Sequence, residues 1–308
     1  MMLANGGQIG LTLGPLLFNW PAATLVDFYA RIADEAPVDT VCVGEVVCSK
    51  RSPFHAAAIA EACERLRRAG KKVVLSSLAL ITLKRERHEC VALMAGEDYP
   101  VEINDLTALF HLRDGRPFSV GPFVNLYNES TLDYLVGRGA NHLCFPPELP
   151  LAAVQTLSSR ANALGASPEI WSFGRIPLAI SGRCYHARLR GLNKDSCQFV
   201  CENDPDGMEI RTLDEQALLA VNGVQTLSDA YCSLIGDTEI LERAGLGSLR
   251  LSPHSCDMVA VARIFRDVLD RRIDDVEGRA QLAAICGRAV FANGFLLGSA
   301  GVEMAKNH

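Results

Sequence analysis

The chain alternates two hydrophobic patterns along most of its length. Short, nearly continuous apolar runs fall at 11–18, 38–47, 72–80, 101–103, 118–127, 141–145 and 169–180. Runs of this kind, rich in β-branched residues, are expected of strands covered on both faces. Between them lie longer amphipathic segments with helix punctuation. Pro21 opens one, Gly70 closes the helix predicted over 56–69, and Asn104 or Asp105 caps another. Further helices are expected through Lys84 and His88, over 129–136 and over 151–164. An eighth apolar strand is expected at 247–251, followed by a helix over about 255–271. Helical segments are read around 213–220 and 229–244. Strands separated by single helices imply parallel pairing with right-handed crossovers. Eight such units predict an α/β fold of the (β/α)8 TIM-barrel type. Residues 1–275 would form this barrel, and 276–308 a short C-terminal helical extension.

One segment breaks the alternation. Residues 181–201 read S-G-R-C-Y-H-A-R-L-R-G-L-N-K-D-S-C-Q-F-V-C, too polar to be core, yet holding Cys184, Cys197 and Cys201. Cys197 and Cys201 are four apart, so one helical turn would place both thiols on one face. Cys48 lies just past the second predicted strand, and Cys184 just past the seventh. In a barrel these strand ends share one rim. Four thiolates gathered there suit zinc or an iron–sulfur cluster, and spacing alone leaves both open. Cys42, Cys63, Cys144, Cys232 and Cys286 sit in apolar patterns and read as core, while Cys90 and Cys256 have no thiol partner within four residues. Arg183, His186, Arg188, Arg190 and Lys194 make the cysteine loop basic. Glu45, Asn125, Tyr127 and Glu148 lie near strand ends and are the candidate pocket residues, as base or substrate anchor, with proton work falling to a carboxylate and the carboxylates alternatively bonding Arg183 or Arg188.

Composition narrows the function classes. With 49% hydrophobic and 21% charged residues, the 308-residue chain is globular. A net charge of −6 argues against general nucleic-acid binding. No secretory signal or membrane span is read, and eleven cysteines suit a reducing compartment, so a cytoplasmic location is expected. Dinucleotide, Walker, H-E-x-x-H and G-x-S-x-G motifs are absent.

Several stretches together resemble the collagenase-like U-type peptidase family. They are V-G-E-V-V-C-S-K-R at 43–51, V-L-S-S-L-A-L at 74–80, N-L-Y-N at 125–128 and P-E-L at 147–149. W-S-F-G-R-I-P-L-A at 171–179, S-G-R-C at 181–184, N-G-V-Q-T at 222–226 and R-L-S-P at 250–253 complete the likeness, which runs from about 11 to 304. The wider family has a cysteine where this chain has Pro177, and a later downstream cysteine. One branch replaces those two at the places of Cys48 and Cys201. The resemblance to that branch implies a [4Fe-4S] cluster on Cys48, Cys184, Cys197 and Cys201, not proteolysis. It further implies a subunit of a dioxygen-independent hydroxylase of ubiquinone precursors, paired with a paralogous subunit. Prephenate is implicated as oxygen donor, with a lipid-carrier-type protein assisting. An RNA-modifying hydroxylase, as in other members of the family, and a non-catalytic electron-transfer or scaffold subunit are the alternatives. The apolar run at 291–302 is expected either to meet the partner or to pack on the barrel's own end.

Overall fold

The computed structural model describes residues 9–305. Eight parallel strands close into a barrel: β1 (Gly10–Leu13), β2 (Thr40–Val43), β3 (Lys72–Ser76), β4 (Val101–Ile103), β5 (Phe118–Val120), β6 (Ala140–Phe145), β7 (Ser167–Ile180) and β11 (Ser248–Leu251). Neighbours pair in that order, and β11 bonds both β7 and β1, which closes the ring. Helices α1 (Ala22–Glu35), α2 (Ser52–Arg68), α3 (Lys84–Ala95), α4 (Glu129–Gly137), α5 (Leu151–Ala163), α7 (Thr238–Arg243) and α8 (Met258–Leu269) lie between or after the strands. The predicted barrel is therefore the observed one. Its elements trace to the pattern. In α8, for instance, Val261, Ala262, Ile264, Phe265 and Val268 bury one apolar face, and the Asp257 side chain caps the first turn.

Some local expectations are corrected. The helix expected after Asn104 is a single 3-10 segment, Leu106–Phe110. Asp105 caps it with one oxygen, while the other accepts from the Ile81 N–H, so the chain is tied down before a second turn forms. The strand expected over 118–127 ends at Val120, because Pro122 has no N–H for the ladder.

The larger correction concerns 213–220 and 229–244. The first stretch is a turn running into strand, and the second begins as strand before turning helical: β8 (Met208–Arg211), β9 (Ala217–Asn222) and β10 (Gln225–Ser233) form an antiparallel arm on the outer half of β7. Only Thr238–Arg243, α7, is α-helical in the second stretch. Short apolar runs do not separate helix from strand by period alone, and partner strands decided the matter. Gly223, at φ +60°, makes the tight turn between β9 and β10. Within the cysteine loop, α6 (Tyr185–Leu189) is a five-residue helix.

The C-terminal segment forms α9 (Asp275–Cys286) and then β12 (Phe291–Ala292), which pairs with β10. Ala292, Asn293 and Leu296 are buried, and the Leu296 carbonyl accepts from the Leu151 N–H at 2.8 Å. Through these residues the run packs on the molecule itself, as one of its two expectations has it. Among the described residues no helix is long and apolar enough to cross a membrane.

Candidate metal centre

The segment after β2 turns sharply at Glu45. Its Oε1 accepts the backbone N–H groups of Val47 and Cys48, both at 2.9 Å, which sets the position of the Cys48 thiol. The same carboxylate lies 3.8 Å from the Arg51 guanidinium and 3.8 Å from His55 Nδ1. Arg51, at the start of α2, is fully buried. It donates to the Leu17 carbonyl at 2.9 Å, to Asn222 Oδ1 at 3.0 Å and to Cys201 Sγ at 3.4 Å. Burial alone would lower its pKa, but Glu45 and the thiols of Cys201 and Cys48 outweigh it and hold the group charged.

The second half comes from the loop after β7. Cys184 caps α6, its sulfur accepting from the Ala187 N–H at 3.4 Å. His186, in the first turn of α6, bonds Asp204 at 2.9 Å, and its pKa is lowered mainly by burial. It therefore buttresses the loop through Asp204. Cys197 and Cys201 are not joined by a regular helical turn. Gln198 and Phe199 both take left-handed backbone angles, φ +51° and +53°, before the 3-10 helix Val200–Asn203. That reversal, not helical spacing, turns both thiols inward. Phe199 is held between the Phe54 ring, 4.9 Å away, and the Lys50 ammonium, 5.5 Å away. Lys50 Nζ also bonds the Lys194 carbonyl at 2.7 Å and lies 3.5 Å from Cys197 Sγ.

Cys48, Cys184, Cys197 and Cys201 thus line one small cavity, with Lys50, Arg51, His186, Lys194 and Gly223. Among the described residues no carboxylate lines it. Burial pushes the Cys48 and Cys184 thiols up, Arg51 and the Ala187 N–H acting respectively in the opposite sense. A bound metal would reverse this balance by stabilising the thiolates. Among the described residues, no three Cys, His, Asp or Glu side chains come together as a site for a single ion. The donor set nevertheless fits a multi-metal sulfur cluster: one cysteine after β2 and three from the loop after β7, set around a cavity, with two cations against the sulfurs.

The other candidates stand differently. Glu45 lies behind Cys48 as the support of its loop. Glu148 accepts from the Tyr127 hydroxyl, whose pKa is raised by burial and then by that carboxylate. Asn125 occupies a left-handed position, φ +59°, at the end of the 3-10 turn Pro122–Val124. None of Asn125, Tyr127 or Glu148 lines the cysteine cavity. Arg183 and Arg188 are exposed and line a neighbouring hollow with Cys184 and Lys194. The expected bonds from Glu45 or Glu148 to Arg183 or Arg188 do not form. Lys50, Arg51 and Asn222 had no assigned role in the sequence reading, although each lies in a stretch that carried the resemblance. Two basic residues directly after a candidate thiolate ligand were the available signal.

Among known proteins, adenine phosphoribosyltransferase of Acaryochloris marina (strain MBIC 11017) is 27% identical over 165 residues, which is 51% of this chain and 88% of that one. A crystal structure of a mandelate racemase/muconate lactonizing protein from Paracoccus denitrificans PD1222, complexed with magnesium, superposes with a TM-score of 0.39 at 14% identity. It covers 55% of this chain, which spans 50% of that one, and a likeness so loose carries no argument. The match that decides runs over nearly the whole molecule. Residues 25–306, from the first barrel helix through the C-terminal segment, fit the sequence profile of peptidase family U32, and the chain belongs to that family.

Proposed function

We propose that Cys48, Cys184, Cys197 and Cys201 hold a [4Fe-4S] cluster, and that the chain is a UbiV-type subunit of a dioxygen-independent ubiquinone-precursor hydroxylase. One observation carries the reading: these four cysteines, from both barrel-rim segments, share a single carboxylate-free cavity with Lys50 and Arg51 against two of the sulfurs. When bound, such a cluster supplies one-electron chemistry, tuned by charge and by hydrogen bonds to its sulfurs. The chain's own residues supply that tuning. Arg51 and Lys50 offset thiolate charge, Glu45 fixes the Cys48 loop, and the Ala187 N–H faces Cys184. Partners under this reading are the paralogue UbiU and the lipid-carrier-type UbiT, with the precursor and prephenate as small molecules.

A second reading is favoured by one observation. Asn125, Tyr127 and Glu148 lie outside the cavity and Glu45 is engaged with its own loop, which suits an electron-transfer subunit whose partner holds the reacting ring. Anaerobic purification tests the cluster: about four iron and four sulfide per chain are expected, with absorption near roughly 400 nm. Replacing any one of the four cysteines by Ser should remove most of the iron, and Cys63→Ser should not. Stoichiometric zinc in anaerobic protein overturns the assignment. Covalent trapping of the precursor on this chain or on its partner separates the two readings.

A further inference from the structure

We propose that Cys256 and Cys286 form a redox-active dithiol, closing to a disulfide that ties the C-terminal helix to the barrel rim. Their sulfurs lie 3.8 Å apart, although thirty positions separate them in sequence. Neither is core. Both are half-buried, and Cys286 is the last residue of α9, where Gly287 at φ +61° ends the helix. A disulfide needs sulfurs about 2.05 Å apart, so closure takes a shift of roughly 2 Å at a helix end. The thiols are also unequal. The contact with Cys256 lowers the pKa of Cys286, while the contact with Cys286, followed by burial, raises that of Cys256. Cys286, at the helix end that must move for the bond to close, is assigned as the attacking thiol. The Met258 thioether, 3.8 Å from Cys256 Sγ, packs the other side of the pair.

The oxidant is a low-molecular-weight disulfide. The Cys286 thiolate attacks one of its sulfurs, breaks its S–S bond and releases one small thiolate. Cys256, on losing its proton, attacks the Cys286 sulfur of the mixed disulfide and releases the second. Two protein thiols are oxidised, and the small disulfide is reduced to two thiols that take up the two protons.

The position gives the bond a consequence for the cysteine cavity. Ser255, next to Cys256, bonds Asp206 through both its N–H and its hydroxyl. Asp206 follows Pro205, whose carbonyl accepts from Trp20 Nε1 at 2.7 Å, and Asp204, the partner of His186. Closing the bond would stiffen the seat of the segment that carries Cys201.

The test uses the full chain, prepared anaerobically and equilibrated with graded ratios of reduced to oxidised glutathione. Samples are acid-quenched, alkylated with N-ethylmaleimide, digested and weighed. Cys256- and Cys286-containing peptides should appear joined, two hydrogens lighter, and separate again with dithiothreitol. The joined species should vanish in Cys256→Ser and Cys286→Ser, with Cys256→Ala and Cys286→Ala as second variants. The oxidised protein should melt about 5 °C or more above the reduced one. Both thiols staying alkylatable across the series overturns the proposal, as does a stable glutathione adduct on either one.

Discussion

At the scale of single residues, the charged and polar side chains buried near the rim do the positioning. His254 shows how such a group writes itself into stability. It is buried among Phe18, Tyr231 and Phe173, with ring centroids 5.1, 4.4 and 6.2 Å away. The Arg175 backbone N–H donates to Nε2 at 3.3 Å, so Nδ1 carries the proton and donates to the Ser252 carbonyl at 3.0 Å. Burial pushes its pKa down from 6.5 to about 4. The unfolded chain takes up this proton below about pH 6.5, and the folded one does not. Stability should therefore fall as pH drops from about 6.5 to 4, by up to ~1.4 kcal/mol per unit from this group, and level off below. His186, also lowered by burial, adds a slope of the same sign. Urea midpoints from pH 7 to 4 should lose part of this slope in His254→Gln. Identical slopes in variant and parent would remove His254 as a source.

At the scale of elements, β7 matters most, because it serves two sheets. Glu169 to Phe173 pair with β11 in the barrel, and Phe173 to Ile180 pair with β10 in the arm. Gly174 stands at the change-over with φ +107°, and a Cβ there would lie 2.6 Å from the His254 ring and 2.9 Å from Ser252 Cβ. Gly174→Ala should cost about 2–4 kcal/mol, through overpacking and a backbone angle that alanine resists. An unchanged denaturation midpoint would refute this. The C-terminal segment is the second element with a consequence. Phe291 pairs with Tyr231, and Asn293 donates to Asp237 at 3.0 Å. Deleting residues 290–308 should therefore give insoluble or strongly destabilised protein. Soluble, normally melting protein would show that this segment is free for another role.

At the scale of the whole molecule, the barrel closes around charge as well as hydrocarbon. Arg250 on β11 bonds Glu169 on β7 at 2.6 Å and Glu102 on β4, with all three side chains buried. Ser76 and Asn104 complete Glu102 at 3.0 and 3.3 Å, and Ser248 completes Glu169 at 3.1 Å. Burial would raise the Glu169 pKa, but Arg250 and then His142 hold it well below the usual carboxylate range. Its stabilisation is thus present above the ordinary carboxylate pKa and lost in strong acid. Arg250→Met would leave Glu102 and Glu169 without their shared guanidinium inside the barrel. A loss of about 3–5 kcal/mol is expected, with partial recovery when Glu102→Gln and Glu169→Gln are added. Equal stability of Arg250→Met and the parent, by denaturant titration, would overturn this view of the interior.

The amino-acid sequence by itself determined the barrel, because alternating covered strands and one-faced helices leave few ways to bury their apolar surface. It also marked residues 181–201 as a polar, cysteine-bearing interruption, since such a stretch cannot join a core. It could not tell hairpin from helix at 213–222, where short apolar runs fit both periods until β7 offers an edge. Nor could it bring Arg51 against the Cys201 sulfur or Asn222 against Arg51, because 150 and 171 positions separate those pairs. The same holds for Cys256 and Cys286, read as unpartnered and as core. Local patterns record which face of an element is buried. Which side chains meet across the rim is decided only when the ring of strands closes and brings distant loops to one end.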